Sequence, residues 1–83
     1  MPDRDRSRNK AIAVAFGQRV KEVRTAKALS QEALAEVTGL HPTFISNVER
    51  GYRVPTVPTL IRIATGLAVP PSALIDGIHL DEA

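Results

Sequence analysis

The 83-residue sequence predicts an all-α fold, a compact domain of five short helices. Apolar residues recur at spacings of three and four along most of the chain, which is the helical period. Capping residues, glycines and prolines divide this pattern into segments, and no stretch alternates as a strand would. The length suits one domain, which buries only about 60% of its unfolded surface and is therefore of modest stability.

The first helix is predicted from about Lys10 to Lys27. One face of it carries the apolar residues Ile12, Phe16, Val20 and Val23. Residues 1–9, with the sequence MPDRDRSRN, have no apolar residue after Met1, so a disordered basic arm is predicted there. The folded domain is expected to span residues 10–80.

A second helix is predicted at about residues 31–38. Ser30 suits the N-cap because its hydroxyl can accept from a free N–H in the first turn. Gly39 is expected to end the helix in the left-handed conformation. The residues expected to face inward are Leu34, Ala35 and Val37.

Pro42 begins the third predicted helix, since proline is favoured at the first helical position. This register puts His41 at the N-cap, where it is an unfavoured residue. Gly51 should end the helix after Arg50. The expected buried residues are Ile45, Val48 and Phe44.

Thr56 is the predicted cap of a fourth helix, whose first turn tolerates Pro58. Its broad apolar face comprises Leu60, Ile61, Ile63, Ala64 and Leu67. Pro70 and Pro71 then break the chain and open a short fifth helix around residues 72–75.

Residues 30–50 contain two short predicted helices joined by a tight turn at Gly39-Leu40-His41. This is the helix-turn-helix spacing. The motifs LSQEALA at 29–35, ISNVERG at 45–51 and Pro55-Thr56 resemble those of the Cro/phage-repressor-like family, also called the XRE family. The resemblance extends from Ala11 to Ile75 and implies a lambda-repressor-like DNA-binding domain. Within the family, the run at 43–50 is similar to that of restriction–modification controller proteins, although many other small regulators share it.

Three polar residues, Thr43, Ser46 and Asn47, lie on one face of the third helix by the three-and-four rule. A solvated face is the plain interpretation, but the turn and the resemblance favour contact with bases in the major groove. There Asn47 suits adenine and Thr43 suits a thymine methyl group. Gln31, at the start of the second helix, is a predicted phosphate contact.

Pro42 stands where the family often has a polar or basic residue. It either contacts a base or only starts the helix, and we favour the second role. Arg50, Tyr52 and Arg53 follow the third helix. Two arginines and a tyrosine within four residues predict phosphate contact, and a long side chain here can reach the minor groove.

The resemblance also implies an ion pair between Arg24 and Glu49 that joins the first and third helices. It further implies a two-fold dimer through the fifth helix. The C-terminal part holds more apolar residues than the core of so small a domain can bury. The predicted interface is therefore formed by Ile75, Ile78 and Leu80. Two subunits would read two half-sites about 34 Å apart, so a pseudo-palindromic operator is expected.

The remaining chemistry is sparse. No paired carboxylates, activated nucleophile or glycine-rich phosphate loop occurs, so an enzyme is not expected, and no cofactor or metal site is predicted. No apolar run approaches the roughly 18 residues that span a membrane, and no signal sequence precedes the domain, so a cytoplasmic protein is expected.

The leading hypothesis is a transcriptional regulator with double-stranded DNA as its partner. The charge distribution agrees with this, because residues 1–53 hold ten of the eleven Lys and Arg residues. The alternative is an antitoxin-type protein-interaction module that neutralises a toxin. Besides a second copy of the chain, the candidate protein partners are therefore RNA polymerase and a toxin.

Overall fold

The computed structural model describes residues 2–80 and contains five helices. These are α1 (Pro2–Ala26), α2 (Gln31–Thr38), α3 (Pro42–Glu49), α4 (Val57–Gly66) and α5 (Ser72–Ile75). No strand occurs within the described residues. The predicted all-α fold of five helices is therefore confirmed.

The first helix is longer than predicted. Residues 2–9 belong to α1, so the prediction of a disordered arm at 1–9 is wrong for them, and Met1 lies outside the described residues. Pro2 occupies the first helical position, where proline is favoured, and no glycine or further proline interrupts residues 3–16. Composition indicated disorder, but a polar segment without helix breakers can continue the helix that follows it.

Side-chain caps set the starts of α2, α3 and α4. The Ser30 hydroxyl accepts from the N–H of Ala33 at 2.9 Å, and Gly39 ends α2 at φ 75°. The Thr56 hydroxyl caps α4. His41 also acts as a cap, because its Nδ1 accepts from the N–H of Thr43 at 3.0 Å. The expectation that His41 is a poor cap is therefore wrong: its ring nitrogen replaces the usual hydroxyl or carboxylate oxygen.

The core lies where the five helices meet. It is formed by Phe16, Val20, Leu34, Ala35, Ile45, Val48, Ile63, Ala64, Leu67 and Leu74. Two residues predicted to face inward do not, since Val37 is 60% exposed and Ile61 is also exposed. On α2 the buried position is taken by Thr38, whose hydroxyl donates to the carbonyl of Leu34 at 2.7 Å. A threonine can be buried in a helix in this way without an unpaired polar group.

Two glycines set the distance between α1 and the end of α3. A Cβ atom at Gly17 would collide with the carbonyl oxygen of Val48, so α1 packs directly on the backbone of α3. Gly51 follows α3 at φ 79°, and a Cβ atom there would lie 2.8 Å from Cγ2 of Val14. Both positions need glycine, and together they hold the start of the α3–α4 loop against α1.

Candidate nucleic-acid interface

The segment from α2 to α3 forms a helix-turn-helix. The N–H groups of Gly39 and Leu40 both donate to the carbonyl of Ala35, at 2.9 and 3.2 Å, and this reverses the chain after α2. His41 then caps α3, and Pro42 is its first residue. Pro42 is half-buried and begins α3, and its contact with a base stays a prediction.

Helix α3 has a buried face and an accessible face. Ile45 and Val48 are fully buried in the core. Thr43 is exposed, and Ser46 and Asn47 are half-buried on the accessible side. The structure therefore brings together the three residues predicted to contact bases.

The residues after α3 form an exposed basic loop. Arg50, Tyr52 and Arg53 are all exposed. The guanidinium carbon of Arg50 lies 5.2 Å from the centre of the Tyr52 ring, and that of Arg53 lies 5.8 Å from the centre of the Phe44 ring. A cation over an aromatic face is attracted by the negative charge of the π system. The rings therefore restrict where the two arginines point.

Arg24 and Glu49 form a salt bridge between α1 and α3. Nε of Arg24 donates to Oε2 of Glu49 at 2.6 Å, and Nη2 donates to Oε1 at 3.0 Å. The remaining guanidinium nitrogen, Nη1, donates to the carbonyl of Leu29 at 2.6 Å. Glu49 is 8% exposed, so the pair is shielded from water. The hydrogen bond to Glu49 raises the pKa of Arg24 above its usual value, and burial opposes this shift.

Gln31 takes part in the same cluster, which the sequence did not indicate. Its Nε2 donates to Oε1 of Glu49 at 3.0 Å. One N–H of the Gln31 amide therefore has an intramolecular partner, which leaves its second N–H for the predicted phosphate contact. The predicted contact through the backbone at the start of α2 is not affected.

The predicted interface residues differ in exposure. Ile75 is 46% exposed and Leu80 is 52% exposed, whereas Ile78 is half-buried and packs against the core. Arg19 of α1 holds this region through its guanidinium, which donates to the carbonyls of Ala73 and Asp76 at 2.9 and 2.8 Å. The sequence does not indicate this role, because nothing around Arg19 points to a partner more than fifty residues away.

Neither a membrane span nor a metal site occurs in the part of the chain that the structure describes. Within residues 2–80, no helix is long and apolar enough to cross a membrane. Among the side chains of residues 9–80, no group of three or more His, Cys, Asp or Glu is placed to hold a metal ion.

Comparison with known proteins identifies this arrangement. The helix-turn-helix family model HTH_3 matches residues 20–74, which include α2, the turn and α3. The chain belongs to the HTH_3 helix-turn-helix family. The family resemblance inferred from the sequence is therefore confirmed.

Among HTH_3 relatives, the chain is similar to controller proteins. It is 41% identical over 66 residues to control protein C.BamHI of Bacillus amyloliquefaciens, covering 78% of this chain and 82% of the relative. The crystal structure of the restriction–modification controller C.AhdI from Aeromonas hydrophila superposes with a TM-score of 0.76. Its sequence identity is 45%, covering 77% of this chain and 97% of C.AhdI.

A second similar structure contains DNA. It is a tetramer of the restriction–modification controller C.Esp1396I in complex with its natural 35 base-pair operator. The TM-score is 0.73 and the identity 30%, covering 81% of this chain and 88% of that one. The structural similarity thus extends to a controller that binds operator DNA.

Proposed function

We propose that this chain is a sequence-specific DNA-binding transcriptional regulator of the controller type, which binds a pseudo-palindromic operator as a homodimer. One observation carries the proposal: α3 presents Thr43, Ser46 and Asn47 on its accessible face, directly before the basic loop of Arg50, Tyr52 and Arg53. A helix with this polar face suits the major groove, and flanking cations suit the phosphates.

The similarity to C.Esp1396I supports this proposal, because that controller is bound to its operator. Here α3 would read base edges, while the start of α2 and the basic loop would contact phosphates on either side. Asn47 has the amide that pairs with adenine, and Arg53 provides a long cationic side chain for the backbone or the minor groove.

The homodimer is proposed to form through Ile75, Ile78 and Leu80. Ile75 and Leu80 are exposed apolar residues at the end of the domain, next to the half-buried Ile78. The hydrogen bonds from Arg19 hold the main chain of α5 in place, so this surface is presented in one arrangement. A two-fold dimer would repeat α3 at two half-sites and thereby double the length of sequence read.

We further propose that the chain acts by binding and not by catalysis, that it works in the cytoplasm, and that RNA polymerase is its candidate protein partner on the promoter. The antitoxin alternative has less support, because C.BamHI and C.AhdI are both controllers.

Selection of bound sites from random duplex DNA tests the proposal. We expect enrichment of a two-fold repeated sequence whose half-sites are about one helical turn apart. A folded protein that enriches no sequence, although it is dimeric, would contradict sequence-specific binding. Enrichment of a single unrepeated half-site would contradict the dimeric mode.

A further inference from the structure

Lys10 lies beside the basic loop although it precedes Tyr52 of that loop by more than forty positions. Its Nζ is 5.2 Å from the centre of the Tyr52 ring, the same distance as the guanidinium carbon of Arg50. One exposed ring therefore interacts with a cation from α1 and a cation from the end of α3. Lys10 is itself exposed.

The packing of α1 explains this proximity. Val14 contacts Gly51, where the chain turns at positive φ directly before Tyr52. Lys10 precedes Val14 by one helical turn and so lies on the same side of α1. The ring of Tyr52 thus lies beside α1, one helical turn before the contact between Val14 and Gly51.

The charged residues around the Tyr52 and Phe44 rings form a cluster of Lys10, Arg50 and Arg53, and all three are positive. Among the side chains of residues 9–80, no salt bridge joins a carboxylate to Lys10, Arg50 or Arg53. Two cations on one ring repel each other, and a phosphate of opposite charge would relieve that repulsion. The cluster adjoins α3, where the proposed operator contacts lie.

We propose that Lys10 is a DNA phosphate contact and that Tyr52 is the positioning residue that holds it beside Arg50. The inference rests on the proposed function and extends that surface from the helix-turn-helix onto α1. The ligand is the sugar–phosphate backbone, so Lys10 contributes affinity and salt dependence, and it does not contribute base preference.

The test is the salt dependence of binding to a short random-sequence duplex. Each phosphate neutralised contributes about 0.9 to the steepness of log K against log salt concentration. Lys10→Gln should therefore make the slope shallower by about 0.9. The control is Arg62→Gln, which removes one exposed positive charge from α4 and should leave the slope close to that of the wild type.

Two substitutions of Tyr52 test its positioning role. Tyr52→Phe removes an uncharged hydroxyl and keeps the ring, so it should lower affinity at most and retain the wild-type slope. Tyr52→Leu removes the ring and should make the slope shallower. In the Tyr52→Leu background the further effect of Lys10→Gln should be smaller than in the wild type, since the two residues act together. Thermal melting of each variant should match that of the wild type, because both side chains are exposed.

The outcomes separate the two proposals. A wild-type chain whose affinity for DNA does not fall with salt would contradict the proposed function itself. Salt-dependent binding with the same slope in Lys10→Gln would overturn only the assignment of Lys10. Equal effects of Lys10→Gln in the wild-type and Tyr52→Leu backgrounds would overturn the positioning role of Tyr52.

Discussion

The main chain of Gly17 lies directly against the carbonyl oxygen of Val48, with no room for a Cβ atom between α1 and α3. Gly17→Ala must push these helices apart, and such overpacking typically costs about 1–3 kcal/mol. We expect a lower melting temperature and weaker DNA binding, since α3 would move. Gln18→Ala, at the exposed neighbouring position, is the control and should melt like the wild type. Equal melting of both variants would show that α1 and α3 can separate without cost.

Glu49→Ala should destabilise the fold by about 3–5 kcal/mol, because it leaves Arg24 partly buried without its carboxylate. Chemical denaturation measures this loss, and DNA binding should fall only as far as the folded fraction falls. Glu36→Ala removes an exposed carboxylate from α2 and should change stability by less than about 0.5 kcal/mol. A denaturation midpoint unaffected by Glu49→Ala would remove the structural role of the pair.

Because the pKa of Arg24 is raised, the direction in which its contribution to stability changes with pH is defined. A pKa that is higher in the folded state gives stabilisation at every pH below the unfolded value, and it is lost only as pH rises through the folded value. Both values lie in the strongly alkaline range. Titration of Arg24 should therefore cause no change in melting temperature between about pH 6 and 9.

Asn47→Ala and Ser46→Ala should alter sequence preference and leave melting unchanged. Loss of a good base contact removes about 1–3 kcal/mol of discrimination. Arg53→Ala is the contrasting variant, because loss of a phosphate contact should lower the affinity for operator and non-operator DNA to a similar degree. Selection from random DNA should return changed sites for the first two variants and the wild-type site for Arg53→Ala. Identical sites for all variants would refute the assignment of α3 residues to base contacts.

Ile75→Asp should disfavour the proposed homodimer, because a charge would be desolvated at the interface. Sedimentation across a concentration series should show a folded monomer where the wild type is dimeric, and operator affinity should fall. Val57→Asp is the control, since Val57 is an exposed apolar residue outside the proposed interface. A wild-type chain that stays monomeric at high micromolar concentration would contradict the dimer. Outright unfolding of Ile75→Asp would show that Ile75 belongs to the core.

Ala28 and Ala68 follow α1 and α4 with φ values of 60° and 58°. The left-handed conformation costs a residue with a Cβ atom about 1–2 kcal/mol, a cost that glycine avoids while losing more freedom on folding. Ala28→Gly and Ala68→Gly should each raise stability by about 0.5–1 kcal/mol. Ala11→Gly, in the interior of α1, should instead lower stability by a similar amount. Destabilisation by all three substitutions would show that loss of chain entropy dominates at the helix ends.

The parts of the fold predicted correctly from sequence depend on local signals. Ser30 and Gly39 bound α2 through interactions within a few residues, so their patterns suffice. The prediction that Val37 faces inward is wrong, because an apolar residue near the end of a short helix can lie on either face. In the structure Thr38 takes the buried position and Val37 lies on the exposed face. Composition alone misjudged residues 2–9, since a charged segment can be helical when it continues a helix that packs.

The contacts that complete the candidate site were not predictable in the same way. Arg19 reaches Ala73 across 54 positions, and Lys10 lies beside Tyr52 where α1 packs on Gly51 through Val14. Such pairings depend on how helices pack, and a polar side chain on a helix surface gives no indication of its distant partner. Gln31 illustrates the limit, because its place at the start of α2 indicated a phosphate contact but gave no indication that its amide also bonds to Glu49.

The guanidinium of Arg19 bonds to main-chain oxygens of the α5 region and not to its side chains. A four-residue helix is too short to persist by itself, so this attachment, together with buried Leu74, keeps it in place. The outward side chains of α5 can therefore be exchanged during evolution without releasing the helix. In the proposed homodimer, such exchanges would change which chains pair with one another. Duplicated copies of the gene could then diverge into regulators that do not form mixed dimers within one cell.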